Sequence, residues 1–302
     1  MRAYGFTTPG GPDHEAFLDV DEPTPGPDEL VVRVHTAGVN PGDWRVRSGA
    51  YGIDGPAVFG REVAGTVVAV GPGVGGFAPG DEVFGGCPGM VGGFAELARV
   101  TASFAAHRPE RVRPEDACVL PVAAGTAYDA LAAFGLGAGE VLLVNGAGGG
   151  VGIPLVQLAV ARGVRVVGTA SPGKHDLLRR LGAEPVAYGE GVIDRIADAA
   201  PDGVDAVLDL VGGDSLRTVA PLVDPARLRS VADKPLVAEL GGADVPRERS
   251  TRVLTVLASL VADGTLDPHV VDVRPFADAA AAMHEVESGH AVGKVVLDLR
   301  SP

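Results

Sequence analysis

The chain of 302 residues has only two cysteines, Cys87 and Cys118, and neither has a cysteine neighbour. No disulfide framework is implied, and a reducing cytoplasm is the expected location. Long apolar runs are missing: none approaches the ~20 residues that a membrane span requires. The first residues, Met1-Arg2-Ala3-Tyr4-Gly5-Phe6, lack the apolar core of a signal peptide. Positive charge is scarce, with 25 Lys and Arg against 39 Asp and Glu, for a net charge of −14. That balance argues against nucleic acid and against anionic membrane surfaces as partners. Metal ligands are scarce too. Two isolated cysteines cannot build a tetrahedral thiolate site, and none of the seven histidines pairs with another at helical spacing. No segment repeats. The length suffices for one large or two medium domains.

What is present centres on a strand, a glycine-rich turn and a helix. Val141-Leu142-Leu143-Val144 is a short apolar run, the pattern of a fully buried strand. Asn145-Gly146-Ala147-Gly148-Gly149-Gly150-Val151-Gly152 follows, then an apolar helix through Ile153, Val156, Leu158 and Val160 to Gly163. A second strand, Val164 to Thr169, comes at once. This βαβ unit carries a phosphate turn at its first junction. Glycines let backbone approach a pyrophosphate, and the helix N-terminus supplies unpaired N–H groups and a positive dipole end. The other reading is a tight connection that binds nothing. The form present is Ala147-x-Gly149-x-x-Gly152. A literal G-x-G-x-x-G lies earlier, at Gly71 to Gly76, but Phe77-Ala78-Pro79-Gly80-Asp81 follows it. Without a helix the anion has no dipole to sit on, so that match reads as a loop between strands.

An NAD site wants an acidic residue near the end of the second strand. Here Ala170 and Ser171 stand there, followed by Pro172-Gly173-Lys174. A small hydroxyl plus a cation suits the 2′-phosphate of NADPH, although Lys174 can also be read as an ordinary solvated lysine.

The chain reads in three parts. Residues 1–115 are strand-rich, with turns such as Pro25-Gly26-Pro27-Asp28 between strands. Residues 116–254 alternate strand and helix, the pattern of a doubly wound parallel sheet. The tail, about 255–302, has two helices and a strand, Lys294 to Leu299, that is expected to rejoin the first domain. A further sheet strand is expected at Glu239 to Asp244, where glycines break the stretch.

Several motifs then fall in order. They are Val39-Asn40-Pro41-Gly42-Asp43 with Arg47-Ser48-Gly49, and Gly60-Arg61-Glu62-Val63-Ala64-Gly65-Thr66-Val67 with Pro79-Gly80-Asp81-Glu82-Val83. Gly125-Thr126-Ala127, the Ala147–Gly152 turn, Asp209-Leu210-Val211-Gly212-Gly213 and Gly293-Lys294-Val295-Val296-Leu297 continue the series. Together they resemble the zinc-independent medium-chain dehydrogenases/reductases, in particular the NADPH:quinone oxidoreductase-like branch. The resemblance covers nearly the whole chain. It implies an α/β fold: a partly open, GroES-like β-barrel as catalytic domain, plus a doubly wound Rossmann domain that binds NADPH. Zinc-dependent relatives carry a Gly-His-Glu where Arg61 stands here, and a four-cysteine lobe that is missing. No Lewis acid is then expected. The implied substrate is a quinone or an α,β-unsaturated carbonyl, which accepts hydride without metal help.

The resemblance also implies roles. Asn40, Asp43 and Tyr51 would line the cleft beside the nicotinamide, with Asn40 donating to a substrate or carboxamide oxygen and Tyr51 offering a hydrogen bond or a proton. Thr126 would hold the carboxamide. Ala147, Gly149, Gly150, Val151 and Gly152 would cradle the pyrophosphate, and Val211 and Gly212 would contact the nucleotide. Ser171, Lys174 and Tyr188 map to the 2′-phosphate pocket, although Gly173 fills the place of an arginine found in some relatives. Asp43 can equally brace its own loop, and Tyr51 can equally cover the core. In relatives, edge strands often pair two subunits, so a homodimer is expected.

Two other classes stay open. Gly213-Asp214-Ser215-Leu216 spells a nucleophile motif of lipase-like hydrolases, with Asp267-Pro268-His269 as a poorly spaced partner. A non-catalytic NADPH-binding sensor is the second. Gly289-His290-Ala291-Val292-Gly293-Lys294 has one residue too few for a P-loop and no Ser or Thr after the lysine, so it is set aside as an ATP site.

Overall fold

The computed structural model describes residues 1–289 and 291–300; His290, inside the discarded P-loop match, lies outside the described residues. The chain forms two compact units. One holds Met1–Val122, Arg249–Gly264 and the segment from Pro268 on; the other holds Ala123–Glu248 and Thr265–Asp267.

The first unit is built around the strand Glu29–Val39. Its β-branched Val31, Val32, Val34 and Val39 are all buried, as suits a strand packed on both faces. It pairs antiparallel with Leu97–Thr101 at its start, with Glu62–Val70 along its length and with Lys294–Asp298 at its end. The tail strand therefore rejoins the first unit, with Val39 opposite Val295. Seven strands make this curled sheet, and a three-stranded sheet of Glu15–Asp19, Arg2–Phe6 and Ala57–Val58 stands beside it. Phe6 stacks on Phe59 at 5.4 Å and Phe59 meets Phe94 edge-on at 6.4 Å in the core. Gly60 passes so close to Phe94 that a Cβ there would lie 2.6 Å from the Phe94 nitrogen, and its φ is +97°. Only glycine fits such a position without strain. The early Gly71–Gly76 match is a loop: Gly71 N–H donates to Glu29 O at 2.8 Å.

The second unit is a five-stranded parallel sheet in the order Glu184–Ala187, Arg165–Ala170, Val141–Asn145, Ala206–Asp209, Leu228–Ser230. Chain order thus runs 3-2-1-4-5, and the direction of winding switches between Val141–Asn145 and Ala206–Asp209. Open sheets of this kind bind ligands at the carboxyl ends of the strands beside that switch. The expected further strand is instead a helix, Lys234–Glu239, followed by one bridge between Ala243 and Arg229. Gly241, at φ +80°, and Gly242 break the extended run. One helical run, Pro114–Phe134, is 21 residues long and apolar enough by length and composition to cross a membrane, against the expectation that no apolar stretch approaches that length; 78% of its most apolar window is buried inside the fold, as in a core helix.

Candidate functional site

In the second unit the glycine turn is fixed from below by Thr169. Its hydroxyl accepts from Gly146 N–H and its carbonyl from Ala147 N–H, both at 2.9 Å. Gly152 opens the helix Gly152–Ala161, and a Cβ there would lie 2.4 Å from Ala147 O. The start of the helix can approach the turn's backbone this closely only through glycine. Gly149 is different: a Cβ there would meet nothing nearer than Gly146 O at 3.5 Å, so no protein atom dictates that residue. The N–H groups of Gly150, Val151 and Gly152 make no hydrogen bond among the described residues. Three unpaired donors at a helix N-terminus form an anion cradle.

A buried polar network locks the strand ends around this turn. Asn145 Nδ2 donates to Asp209 Oδ1 at 2.7 Å and to Ser215 Oγ at 2.9 Å, while Asn145 Oδ1 accepts from Thr169 Oγ1 at 2.8 Å. Asp209 also accepts from Ser230 Oγ at 2.6 Å and from the N–H groups of Val211 and Gly212. The carboxylate thereby holds the Val211–Gly212 turn in place. Ser215 is part of this lattice, and no histidine is among its hydrogen-bond partners in the described residues. The hydrolase reading lacks its base.

Lys174 reaches back over the turn. Its Nζ donates to Gly148 O at 2.9 Å, and its stem lies against the Gly148 Cα, where a Cβ would be 2.5 Å from Cδ. Burial holds its ammonium below the usual lysine range. Ser171 directly precedes the short turn Pro172–Lys174. Tyr188 is 63% exposed after the edge strand. Thr126 is buried, and its hydroxyl accepts from Arg247 Nη1 at 2.6 Å; Arg247 Nε also pairs with Asp129 at 2.8 Å. No sequence motif marks Arg247 or Asp129.

In the first unit, Asn40, Asp43 and Tyr51 lie on or beside the short helix Pro41–Arg47. Asn40 N–H donates to Asp43 Oδ2 at 2.8 Å. The Asn40 amide is fully engaged, against the expectation that it donates to an acceptor. Its two N–H bonds go to Glu62 Oε1 at 2.8 Å and Gly38 O at 3.2 Å, and its Oδ1 accepts from Lys294 Nζ at 2.6 Å. An amide has only two N–H bonds to give. Glu62 also accepts from Val122 N–H at 2.7 Å, and Lys294 also donates to Val39 O at 3.2 Å. Glu62 is completely buried and Lys294 is 4% exposed. Gly38 makes room for the carboxylate, since a Cβ there would lie 2.5 Å from Glu62 Oε1. Both charges stand inside sequence motifs that give them no role by themselves; the signal that marks each is an ionisable residue at the head of an apolar strand.

Asp43 is buried, and burial pushes its carboxyl up to about 6 against the pull of Arg61. Its Oδ1 makes no hydrogen bond among the described residues, nor does Arg61 Nε, 3.7 Å away. Arg61 Nη2 donates to Gly42 O at 2.8 Å, and its guanidinium lies 4.9 Å from the Tyr51 ring centroid. Tyr51 is 43% exposed. Arg47, at the far end of the same helix, is tied to Glu15 and Glu287. Those ion pairs anchor the helix to the strand Glu15–Asp19 and the helix Ala279–Glu287.

Comparison with known proteins accords with this architecture. Residues 26–110 match the alcohol dehydrogenase GroES-like domain, and residues 181–297 match the zinc-binding dehydrogenase model. The chain is 36% identical to a rat quinone oxidoreductase over 72% of its own length and 68% of that protein. It is 30% identical to tomato 2-methylene-furan-3-one reductase, covering 98% of this chain and 79% of the relative. The chain belongs to the medium-chain dehydrogenase/reductase family, in its quinone oxidoreductase-like branch. It is also 34% identical to polyketide synthase GfsB of Streptomyces halstedii over 96% of its own length, but spans only 5% of that protein. Among solved structures, the quinone oxidoreductase of Coxiella burnetii superposes with a TM-score of 0.91 at 27% identity, covering 99% of each chain. A mycobacterial relative solved with NADPH gives 0.85 at 29% identity, covering 98% of this chain and 99% of that one.

One of the matched models is named for zinc. In this family member no group of three or more His, Cys, Asp or Glu residues among the described ones could hold a metal ion. Arg61, a cation, occupies the position before Glu62, and burial pushes the Cys87 and Cys118 thiols up, away from the thiolate a metal needs. The residues do not fit zinc.

Proposed function

We propose that this chain is an NADPH-dependent reductase that delivers hydride to a quinone or an α,β-unsaturated carbonyl without zinc. The observation that carries the reading is the trio of unpaired N–H groups at Gly150, Val151 and Gly152, beside the switch point of the sheet. It is supported by the quinone oxidoreductase and furanone reductase relatives and by the relative solved with NADPH. When bound, NADPH supplies a hydride from C4 of its nicotinamide.

In this reading the Ala147–Gly152 turn holds the pyrophosphate, with Gly149 kept free of a side chain. Thr126 meets the carboxamide, and Val211 and Gly212 meet the nucleotide. Ser171, Lys174 and Tyr188 take the 2′-phosphate, Lys174 exchanging the Gly148 carbonyl for a phosphate oxygen. Asn40 and Asp43 brace the loop, and the exposed Tyr51 hydroxyl, or water, protonates the reduced acceptor. A conjugated acceptor spreads the incoming charge, so one hydrogen-bond donor can suffice. The same reading takes the protein to be a cytoplasmic homodimer.

The test uses NADPH deuterated at the transferred position, with cyclohex-2-enone as acceptor. The saturated ketone should carry deuterium at its β-carbon. Deuterium lost to solvent would mean a relay through another group, and direct transfer would have to be abandoned.

A further inference from the structure

Resting on the reading of Tyr51 as a proton donor, we propose that Arg61 is the residue that positions Tyr51, held in turn by Gly42 and Asp43. Tyr51 sits in a turn between Gly49 at φ +83° and Gly52 at φ +68°. Two left-handed glycines flank it, so local backbone does little to fix the ring. Its hydroxyl makes no hydrogen bond among the described residues, and the one charge over its face is the Arg61 guanidinium at 4.9 Å. Such a contact attracts the cation to the ring and restrains both.

Arg61 is itself held tightly. It is 11% exposed, and it donates to Gly42 O at 2.8 Å and to Met90 Sδ at 3.4 Å. The guanidinium lies flat on the Cα of Gly42: a Cβ there would be 2.0 Å from Cζ. Gly42 is therefore where a side chain would push Arg61 off its seat. Asp43 faces the same guanidinium at 3.7 Å. The chain of contacts runs carboxylate, guanidinium, phenol. In turnover the phenol O–H bond breaks and a new O–H or C–H bond forms on the hydride-reduced acceptor. The phenolate takes its proton back from water, which reaches the half-exposed ring.

The test measures kcat, KM and NADPH affinity for the full chain with cyclohex-2-enone and 1,4-naphthoquinone. Tyr51→Phe should lower kcat by roughly 10²-fold or more, the range of a lost general acid. Arg61→Met should lower kcat by about tenfold or more, since a misplacement of about 1 Å can cost ~10²-fold, and should leave the NADPH dissociation constant within about twofold. Arg61→Lys, which keeps a cation for the ring, should recover part of the loss. Gly42→Ala keeps the charge but displaces it, and should behave like Arg61→Met even if the latter folds poorly. Added to Tyr51→Phe, Arg61→Met should cost little more. If instead the two losses multiply, or Arg61→Met and Gly42→Ala leave kcat unchanged, Arg61 does not act through Tyr51 and the proposal is overturned. If Tyr51→Phe alone leaves kcat unchanged, the proton-donor reading itself falls, and this proposal with it.

Discussion

Lys294 sets its ammonium 2.6 Å from the Oδ1 of Asn40, although 254 residues separate them in the chain. The contact exists because the last strand, Lys294–Asp298, pairs with the end of Glu29–Val39. It brings a cation to a buried carboxylate, Glu62, that otherwise faces Asn40 and one backbone N–H. The loop bearing Asn40, Asp43 and Tyr51 is thus held by the far end of the sequence.

Lys294→Met should therefore be strongly destabilising. It leaves the fully buried Glu62 without its cation, and breaking a buried pair from one side costs about 3–5 kcal/mol. The double variant Lys294→Met/Glu62→Gln should regain part of that loss, because the uncompensated charge is gone. Chemical denaturation of the three proteins checks this; a double variant less stable than the single one contradicts it.

The two glycine-rich stretches should respond in opposite ways. Gly149→Val meets no protein atom nearer than 3.5 Å at its Cβ, so the protein should fold and fail to bind NADPH in a titration. Gly152→Ala drives a Cβ to 2.4 Å from the Ala147 carbonyl and should cost stability as well as binding. Gly73→Val, with Pro27 O at 2.9 Å, should cost some stability and leave NADPH affinity intact. Loss of NADPH binding in Gly73→Val alone would mean that the nucleotide sits at the other loop.

Much of this was legible in the sequence because it depends on local pattern. Buried apolar runs, glycine punctuation and the order of motifs point to the seven-stranded and five-stranded sheets and to the turn that opens at Gly146. What was not legible depends on contacts between distant residues. The Asn40 amide reads as a free donor until Glu62 and Lys294 are brought to it. Arg247 reads as one arginine of several, yet folds onto Thr126 and Asp129. The edge strand Glu184–Ala187 is not legible in the sequence because Pro185 weakens its strand pattern, although proline is tolerated at a sheet edge. At Glu239 to Asp244 the expected strand gives way to the end of a helix and a glycine turn.

Lys174 should discriminate between nucleotides. Its Nζ already has Gly148 O, so binding a 2′-phosphate exchanges a neutral acceptor for a charged one. Charge-assisted bonds are worth about 1.5–3 kcal/mol against about 1 for neutral ones. The difference predicts a rise of roughly tenfold in KM for NADPH in Lys174→Ala, with NADH nearly unchanged. Equal effects on both nucleotides would remove Lys174 from the 2′-phosphate.

Asp43 should imprint a pH dependence on stability. Its carboxyl rises from an ordinary value of 3.8 to about 6, chiefly through burial, with Glu62 adding to the rise and Arg61, the Asn40 N–H and Lys294 opposing it. The folded protein therefore holds this proton more tightly than the unfolded chain does. Stability from this group is fully present below about pH 4 and is lost as pH rises through about 6, by linkage. A shift of about two units corresponds to about 3 kcal/mol. Asp43→Asn keeps an oxygen to accept the Asn40 N–H and removes the titration. Between pH 4 and pH 7.5 the variant should thus gain stability relative to the parent by up to about 3 kcal/mol, whatever its offset at pH 4. Taking the difference between the two proteins cancels the other titrating groups. Denaturation curves collected across that range decide the matter: a constant difference would mean that Asp43 ionises normally in the folded protein and that Arg61 compensates its burial in full, and one that shrinks as pH rises would mean that Arg61 overcompensates it.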